Sequence, residues 1–176
     1  MSARRTMGKI LWTLAFTVLI VSSAAAADLE LTIANVRSDS GALLIGLYDN
    51  PKGFLLSVED SAKPRPTTDP LRLVGVAMRA TSGTQSIVFR QLPPGRYAII
   101  VIHDENDNGL LDENALGVPT EGYGFSNNAL GFLSAPSFEA AAVIIESTDK
   151  SVSISLIYPR MESSQDLRDL EELLGH

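Results

Sequence analysis

The 176-residue chain has no cysteine, a single tryptophan and only two histidines, and aromatic residues make up just 6% of it. Without cysteine there is no disulfide, no thiolate metal site and no cysteine for a lipid anchor. One internal imidazole, His103, is too few for a zinc site. Basic residues are also in short supply, 14 Lys and Arg against 21 Asp and Glu, a formal charge of −7. A surface of that sign gives no footing to nucleic acid, whose phosphates need Lys and Arg, nor to anionic lipid.

Positive charge does gather at the start. Arg4, Arg5 and Lys9 precede an uncharged, mostly apolar run from Ile10 to Val21, and Ala25-Ala26-Ala27 follows. This is the layout of a cleaved secretory signal. The apolar run is well short of the roughly 20 residues a spanning helix needs. Residues 1–27 are therefore expected to be a leader, with Asp28 starting the exported chain and no membrane association after cleavage. Removing the three basic residues leaves 11 against 21 acids, a net charge of −10. The expected location is the periplasm or the exterior. A remainder of about 149 residues is long enough to bury a core without disulfides.

Past the leader the patterns are those of strands. Leu29, Leu31 and Ile33 alternate with Glu30 and Thr32, the period of a half-buried strand. The turn Arg37–Gly41 leads to a second apolar segment, Ala42–Tyr48, and the pair reads as an antiparallel hairpin. Asp49–Gly53 ends it, with Phe54 and Leu55 returning to the core. From Ser57 to Pro70 the chain is polar and carries Pro64, Pro66 and Pro70, which suits an exposed connection. Leu71–Arg79 and Ser86–Leu92 are the next strands. Pro93-Pro94-Gly95 turns into Arg96–His103, whose run Ala98–Ile102 is apolar throughout and marks a central strand covered on both faces. Ser137–Ala141 reads as a short helical turn, and Val143–Glu146 with Val152–Tyr158 as a final hairpin. Beyond Pro159, Leu167, Leu170, Leu173 and Leu174 share one helical face. The expected fold is all-β: a seven-stranded antiparallel β-sandwich over residues 28–159, prealbumin-like or immunoglobulin-like, with a C-terminal helical tail over 160–176.

Two stretches carry a resemblance. Phe89-Arg90-Gln91-Leu92-Pro93-Pro94-Gly95-Arg96-Tyr97 resembles the strand–turn–strand of prealbumin-like sandwiches, including carboxypeptidase regulatory-like modules. That turn is joined by His103–Gly109, Asp112, Gly117, Pro119, Glu121-Gly122, Gly124–Asn128 and Pro136-Ser137-Phe138. Together they resemble a family of exported bacterial proteins, the domain of unknown function numbered twenty-one forty-one. The resemblance spans roughly Leu29 to Tyr158 and implies an exported β protein without implying an activity. Aromatic-ring dioxygenases that share prealbumin-like sandwiches use several His and Tyr iron ligands, which this chain lacks.

The stretch His103–Asp112 is the candidate site. Calcium takes about 6–8 oxygen ligands, and EF-hand-type loops supply them from alternate positions around a turn glycine. With Asp104 as position one, Asn106 and Asn108 fall at three and five. Gly109 is the turn glycine, the Leu110 carbonyl falls at seven, and Asp112 at nine. Position twelve is Ala115, where a bidentate glutamate belongs, so Glu113 or Glu121 must complete a shell. The competing reading is a metal-free turn, because Asn and Asp bond their own backbone. Downstream, Tyr123, Phe125, Asn127 and Asn128 form either a small-ligand or glycan pocket wall or a plug at one end of the sandwich. His103 beside Asp104 or Glu121 admits a hydrolase, but no nucleophile-elbow pattern accompanies it, and a structural role at a strand end is favoured.

The sequence therefore points to a non-catalytic exported module with a structural Ca²⁺ loop and an unidentified protein or small-molecule partner. Leader removal is the directly testable part. Because Trp12 lies in the leader, the exported protein should lack tryptophan absorbance and its intact mass should begin at Asp28; a persisting tryptophan band contradicts this.

Overall fold

A computed structural model describes residues 25–63, 71–115, 117–131 and 134–159. The leader expected over 1–27 falls outside these residues up to position 24. Pro64, Pro66 and Pro70, and the tail expected from 160 onward, lie outside them as well.

The chain is mostly β. In order it forms β1 (Ala27–Val36), β2 (Ala42–Tyr48), α1 (Pro51–Glu59), β3 (Val74–Arg79), β4 (Gly83–Leu92) and β5 (Gly95–Asp104). These are followed by β6 (Gly122–Phe125), a 3₁₀ turn at Ser126–Asn128, α2 (Phe138–Ala141), β7 (Val143–Ile145) and β8 (Lys150–Ser155). Two sheets result. One has the order β4-β1-β8, and the other β3-β2-β5-β6 with β7 also on β5. β6 pairs with the Ile100–His103 end of β5, and β7 with its Gly95–Tyr97 end.

The alternation of β1 places Leu29, Leu31 and Ile33 in a core shared by both sheets. There they meet Phe89 and Ile154 of their own sheet and Leu43, Ile45, Leu47, Ile99 and Val101 of the other. β5 is the central strand that its apolar run predicts. Tyr97, Ile99 and Val101 face the shared core, and Ala98 and Ile100 face a second cluster of Tyr48, Phe54, Phe125, Phe138 and Ala141. Continuous hydrophobicity is what a strand buried on both faces requires.

Several expectations are corrected. There are eight strands among the described residues rather than seven. The extra one, β6, reads Gly-Tyr-Gly-Phe, and its two glycines erase the alternation that marks a strand. The arrangement is also not wholly antiparallel, because β8 runs parallel to β1 with Leu31 opposite Val152. Neither expected hairpin forms. β1 and β2 lie in different sheets, as do β7 and β8, so the connection after each first strand crosses between sheets instead of folding back. Part of the polar stretch from Ser57 is helix. Asn50 caps α1 by accepting from the Gly53 amide at 2.7 Å, and Pro51 stands in its first turn. Phe54 is buried at 1% exposure as expected, but Leu55 is 56% exposed because helical geometry turns it away from the sheet.

Phe54 is the main anchor of α1, with ring centroids 6.1 Å from Tyr48 and 6.0 Å from both Phe125 and Phe138. Phe54→Ala should lower stability by about 3–5 kcal/mol in denaturant unfolding. Leu55→Ala should stay within roughly 0.5 kcal/mol of the parent.

Candidate functional site

β5 ends in His103 and Asp104, and seventeen residues pass before β6 begins at Gly122. The loop between them is built by carboxylates that accept backbone amides. Asp104 is 2% exposed. Its Oδ1 accepts from the Asn108 amide at 3.0 Å and its Oδ2 from the Gly109 amide at 2.7 Å. Asn106 Oδ1 accepts from the Asn108 amide at 3.1 Å, and Asn108 Oδ1 from the Leu110 amide at 2.8 Å. The tight path requires left-handed backbone at Asp107 (φ 58°) and at Gly109 (φ 79°), the latter at the expected turn glycine.

The amide nitrogens of Asn106 and Asn108 donate to the two oxygens of Asp112, at 2.6 and 2.9 Å. Glu121 then closes the loop from its far end. At 4% exposure, it accepts from the Glu105 amide through Oε1 at 2.7 Å and from the Asp112 amide through Oε2 at 3.1 Å. Burial, and secondarily the charges of Asp112 and Asp104, push its carboxyl above the usual range, although the two amides pull the other way.

Asp104, Asn106, Asn108, Asp112 and Glu121 are thus brought into one hydrogen-bonded group. The Leu110 amide joins it through Asn108. Glu113 does not join, being exposed, with its backbone bridged to Pro119. Among the described residues, no three His, Cys, Asp or Glu side chains stand as a metal-holding group by themselves. A cation here would draw on amide and carbonyl oxygens as well, a mixture that suits hard, oxygen-seeking Ca²⁺.

Next to this group stands a clasp absent from the sequence reading. The Arg37 guanidinium, just after β1, forms an ion pair with Glu105, with Nε 3.0 Å from each carboxylate oxygen. It also donates to the Thr120 carbonyl at 3.1 Å and lies 4.4 Å from the Tyr158 ring centroid. Ser38 Oγ adds a 2.8 Å bond to Glu105. These contacts, Arg37 foremost, hold the Glu105 carboxyl below the usual range, and Glu105 in turn raises Arg37. The only local signal was an arginine in a turn.

His103 is fully buried, and both ring nitrogens are engaged: Nδ1 lies 2.8 Å from Tyr158 Oη and Nε2 3.0 Å from the Ser40 carbonyl. A carbonyl only accepts, so Nε2 carries the proton and Nδ1 accepts from the tyrosine. Tyr158 packs against Gly122, where an added Cβ would fall 2.2 Å from its Cε1.

The remaining candidates sit at the other end of β6. Phe125 is in the second core and Tyr123 packs half-buried against it. Asn127 donates to the Ala140 and Ala142 carbonyls at 3.1 and 2.9 Å. Asn128 donates to the Ser153 carbonyl at 3.4 Å and accepts from the Ser155 amide at 2.8 Å. Ser126, which the sequence reading passed over, is fully buried and joins the Ile99 amide to the Ala141 carbonyl.

A family described as an uncharacterized protein conserved in bacteria (DUF2141) matches residues 31–153. The chain belongs to this family. Those residues take in the whole loop, the Arg37 clasp and the strands that carry them, while Tyr158 lies just beyond. No curated protein matches. Two structures of the pilus-presented adhesin Spy0125 (Cpa), both in the same crystal form, are similar at 16% and 15% identity, covering 77% and 74% of this chain. Their TM-scores are 0.28 and 0.24, too low to carry the fold across. The chain spans only 27% of those adhesin chains.

The clasp sets a pH dependence. A carboxylate with a lowered folded pKa contributes stability that is present above its ordinary pKa and is lost as pH falls through the lowered one. Glu105→Gln should therefore cost about 0.5–1 kcal/mol at neutral pH, the solvent exposure of Arg37 screening the pair. The difference from the parent should shrink steadily in melts below about pH 4; a gap that does not vary with pH would remove the ionic clasp.

Proposed function

We propose that this DUF2141 protein is an exported, non-catalytic module of prealbumin-like sandwich type, whose 104–121 loop takes Ca²⁺ as a structural ion. The observation that carries the reading is the hydrogen-bonded network that links Asp104, Asn106, Asn108, Asp112 and Glu121, whose carboxylates make no ion pair among the described residues and do not by themselves form a metal-holding group. Amide oxygens of Asn106 and Asn108 stand beside them at the alternate spacing that a calcium loop uses. The two asparagine side chains now turn their nitrogens toward Asp112, so a cation would compete with those bonds and with the backbone bonds their oxygens accept. Affinity should accordingly be weak, with Kd on the order of 10⁻⁴ to 10⁻³ M, as in extracellular modules.

The non-catalytic part of the reading is supported by His103, which has no accessible nitrogen with which to move a substrate proton. A glycan or small-ligand role for Tyr123, Phe125, Asn127 and Asn128 is less well supported, since the ring of Phe125 and both amides serve the fold.

Thermal melts and calorimetry with Ca²⁺, Mg²⁺ and EDTA test the proposal. Ligand linkage at such a Kd gives about 1.4–2.7 kcal/mol of added stability at about 10 mM Ca²⁺. Asp112→Ala should abolish the shift. It is a cleaner variant than Asp104→Ala, which deletes the acceptor of two loop amides and disrupts the loop with or without metal. A melting temperature indifferent to all three additions refutes the calcium loop.

A further inference from the structure

The strand order leaves β3 at the edge of its sheet. Its free backbone groups can be identified from its pairing with β2. The Ala80 amide donates to the Gly41 carbonyl at 3.1 Å, in register with Ala42 opposite Arg79 and Leu44 opposite Ala77. In an antiparallel ladder alternate residues turn both N–H and C=O toward the neighbour, and those between turn both away. Val74, Val76 and Met78 therefore bond β2, while Gly75 and Ala77 present both amide and carbonyl outward and Arg79 presents its amide, its carbonyl accepting from Gln85 Nε2 at 3.0 Å. The same three residues are exposed, whereas Val74, Val76 and Met78 pack half-buried against the core.

Among the described residues this edge is open. Natural edges are blunted by lysine, proline, bulges or brevity. Within β3 the register runs unbroken for six residues, and Arg79 is its single charge. Basic groups mark both ends. Arg72 lies against Gly75, where an added Cβ would meet its Nε at 2.6 Å, and Arg79 closes the strand. Neither makes an ion pair among the described residues. They are seven residues apart, about 23 Å in extended chain. Arg72 and Arg79, without a salt bridge among the described residues although Arg79 stands within electrostatic reach of Asp39, give this edge a local positive charge that favours an acidic occupant.

A second copy of this chain is a poor fit. Two-fold pairing about Ala77 would set each Arg79 opposite the other copy's Gly75, on top of Arg72, bringing like charges together. We propose that the β3 edge binds an extended acidic segment of another protein by strand addition. Its backbone pairs with Gly75, Ala77 and Arg79, and its carboxylates meet Arg72 and Arg79.

Amide hydrogen exchange of the ¹⁵N-labelled protein tests this, with an acetylated peptide Glu-Val-Thr-Val-Thr-Val-Glu and its counterpart carrying Lys for Glu as probes. The amides of Gly75, Ala77 and Arg79 should exchange freely in the protein alone and slow at least about tenfold with saturating acidic peptide, but not with the lysine peptide. Ala77→Pro deletes one outward donor and spares the β2 ladder, and should abolish binding. Should that variant fail to fold, Arg72→Ser with Arg79→Ser should weaken Kd by about tenfold or more, near 1.4 kcal/mol. Protection of the three amides before any peptide is added overturns the proposal, because the edge is then already covered. So does absence of acidic-peptide binding, equal binding of the two peptides, or wild-type affinity in the folded variants.

Discussion

A long loop leaving the end of a buried strand has backbone amides that no ladder pairs, and in this protein carboxylates receive them in part-buried bonds. Asp104 takes the amides of Asn108 and Gly109, and Glu121 takes those of Glu105 and Asp112. Buried amides must be paired somewhere, and hydrogen bonds to a charged acceptor are worth about 1.5–3 kcal/mol each. In a chain without cysteine, these four bonds do fastening of the kind that disulfides provide elsewhere. Asp104 pins the middle of the loop and Glu121 ties its two ends. Acidity concentrated here is thus a structural requirement first, and any cation has to enter a site already in use.

The second dependence is between sheets. Arg37 follows β1 of the smaller sheet, Glu105 follows β5 of the larger, and Tyr158 follows β8. Their contacts close one end of the shared core over His103, whose ring is held between Tyr158 and the Ser40 carbonyl. Gly122 leaves room for the tyrosine ring, so the first residue of β6 is set by packing rather than by strand preference. The edge strand β3 is one strand away from β5, and its Arg79 and the Asp104 of β5 both stand opposite Ala42 of β2.

Much of the architecture was legible because burial leaves a period. β1 alternates, β5 is apolar throughout, and both do what those patterns require. Pairing left no such trace. Nothing in Leu29–Ile33 or Ala42–Tyr48 says that the intervening turn crosses from one sheet to the other, and parallel pairing of β1 with β8 joins segments some 120 residues apart in register. β6 was hidden by its glycines, and α1 by a polar, proline-flanked composition in which the Asn50-Pro51 cap was the available signal. The loop residues were found because Asx spacing is local. The Arg37 clasp was missed because an ion pair separated by 68 positions has no sequence period at all.

The two glutamates of the loop respond to pH in opposite senses, which bears on what a cation would do. Glu105 is stabilised in its ionised form by Arg37, so its contribution is complete at neutral pH and fades as pH falls through its lowered pKa. Glu121 is raised, chiefly by burial. A raised carboxyl favours the neutral form in the folded state, so its contribution is present in acid and is lost as pH rises through the raised value. Where Glu121 is ionised, the closed loop is held by the Arg37–Glu105 pair against the repulsion of Glu121 by Asp104 and Asp112. A divalent cation relieves that repulsion and leaves the clasp untouched, so the gain from calcium should grow over the pH range in which Glu121 ionises.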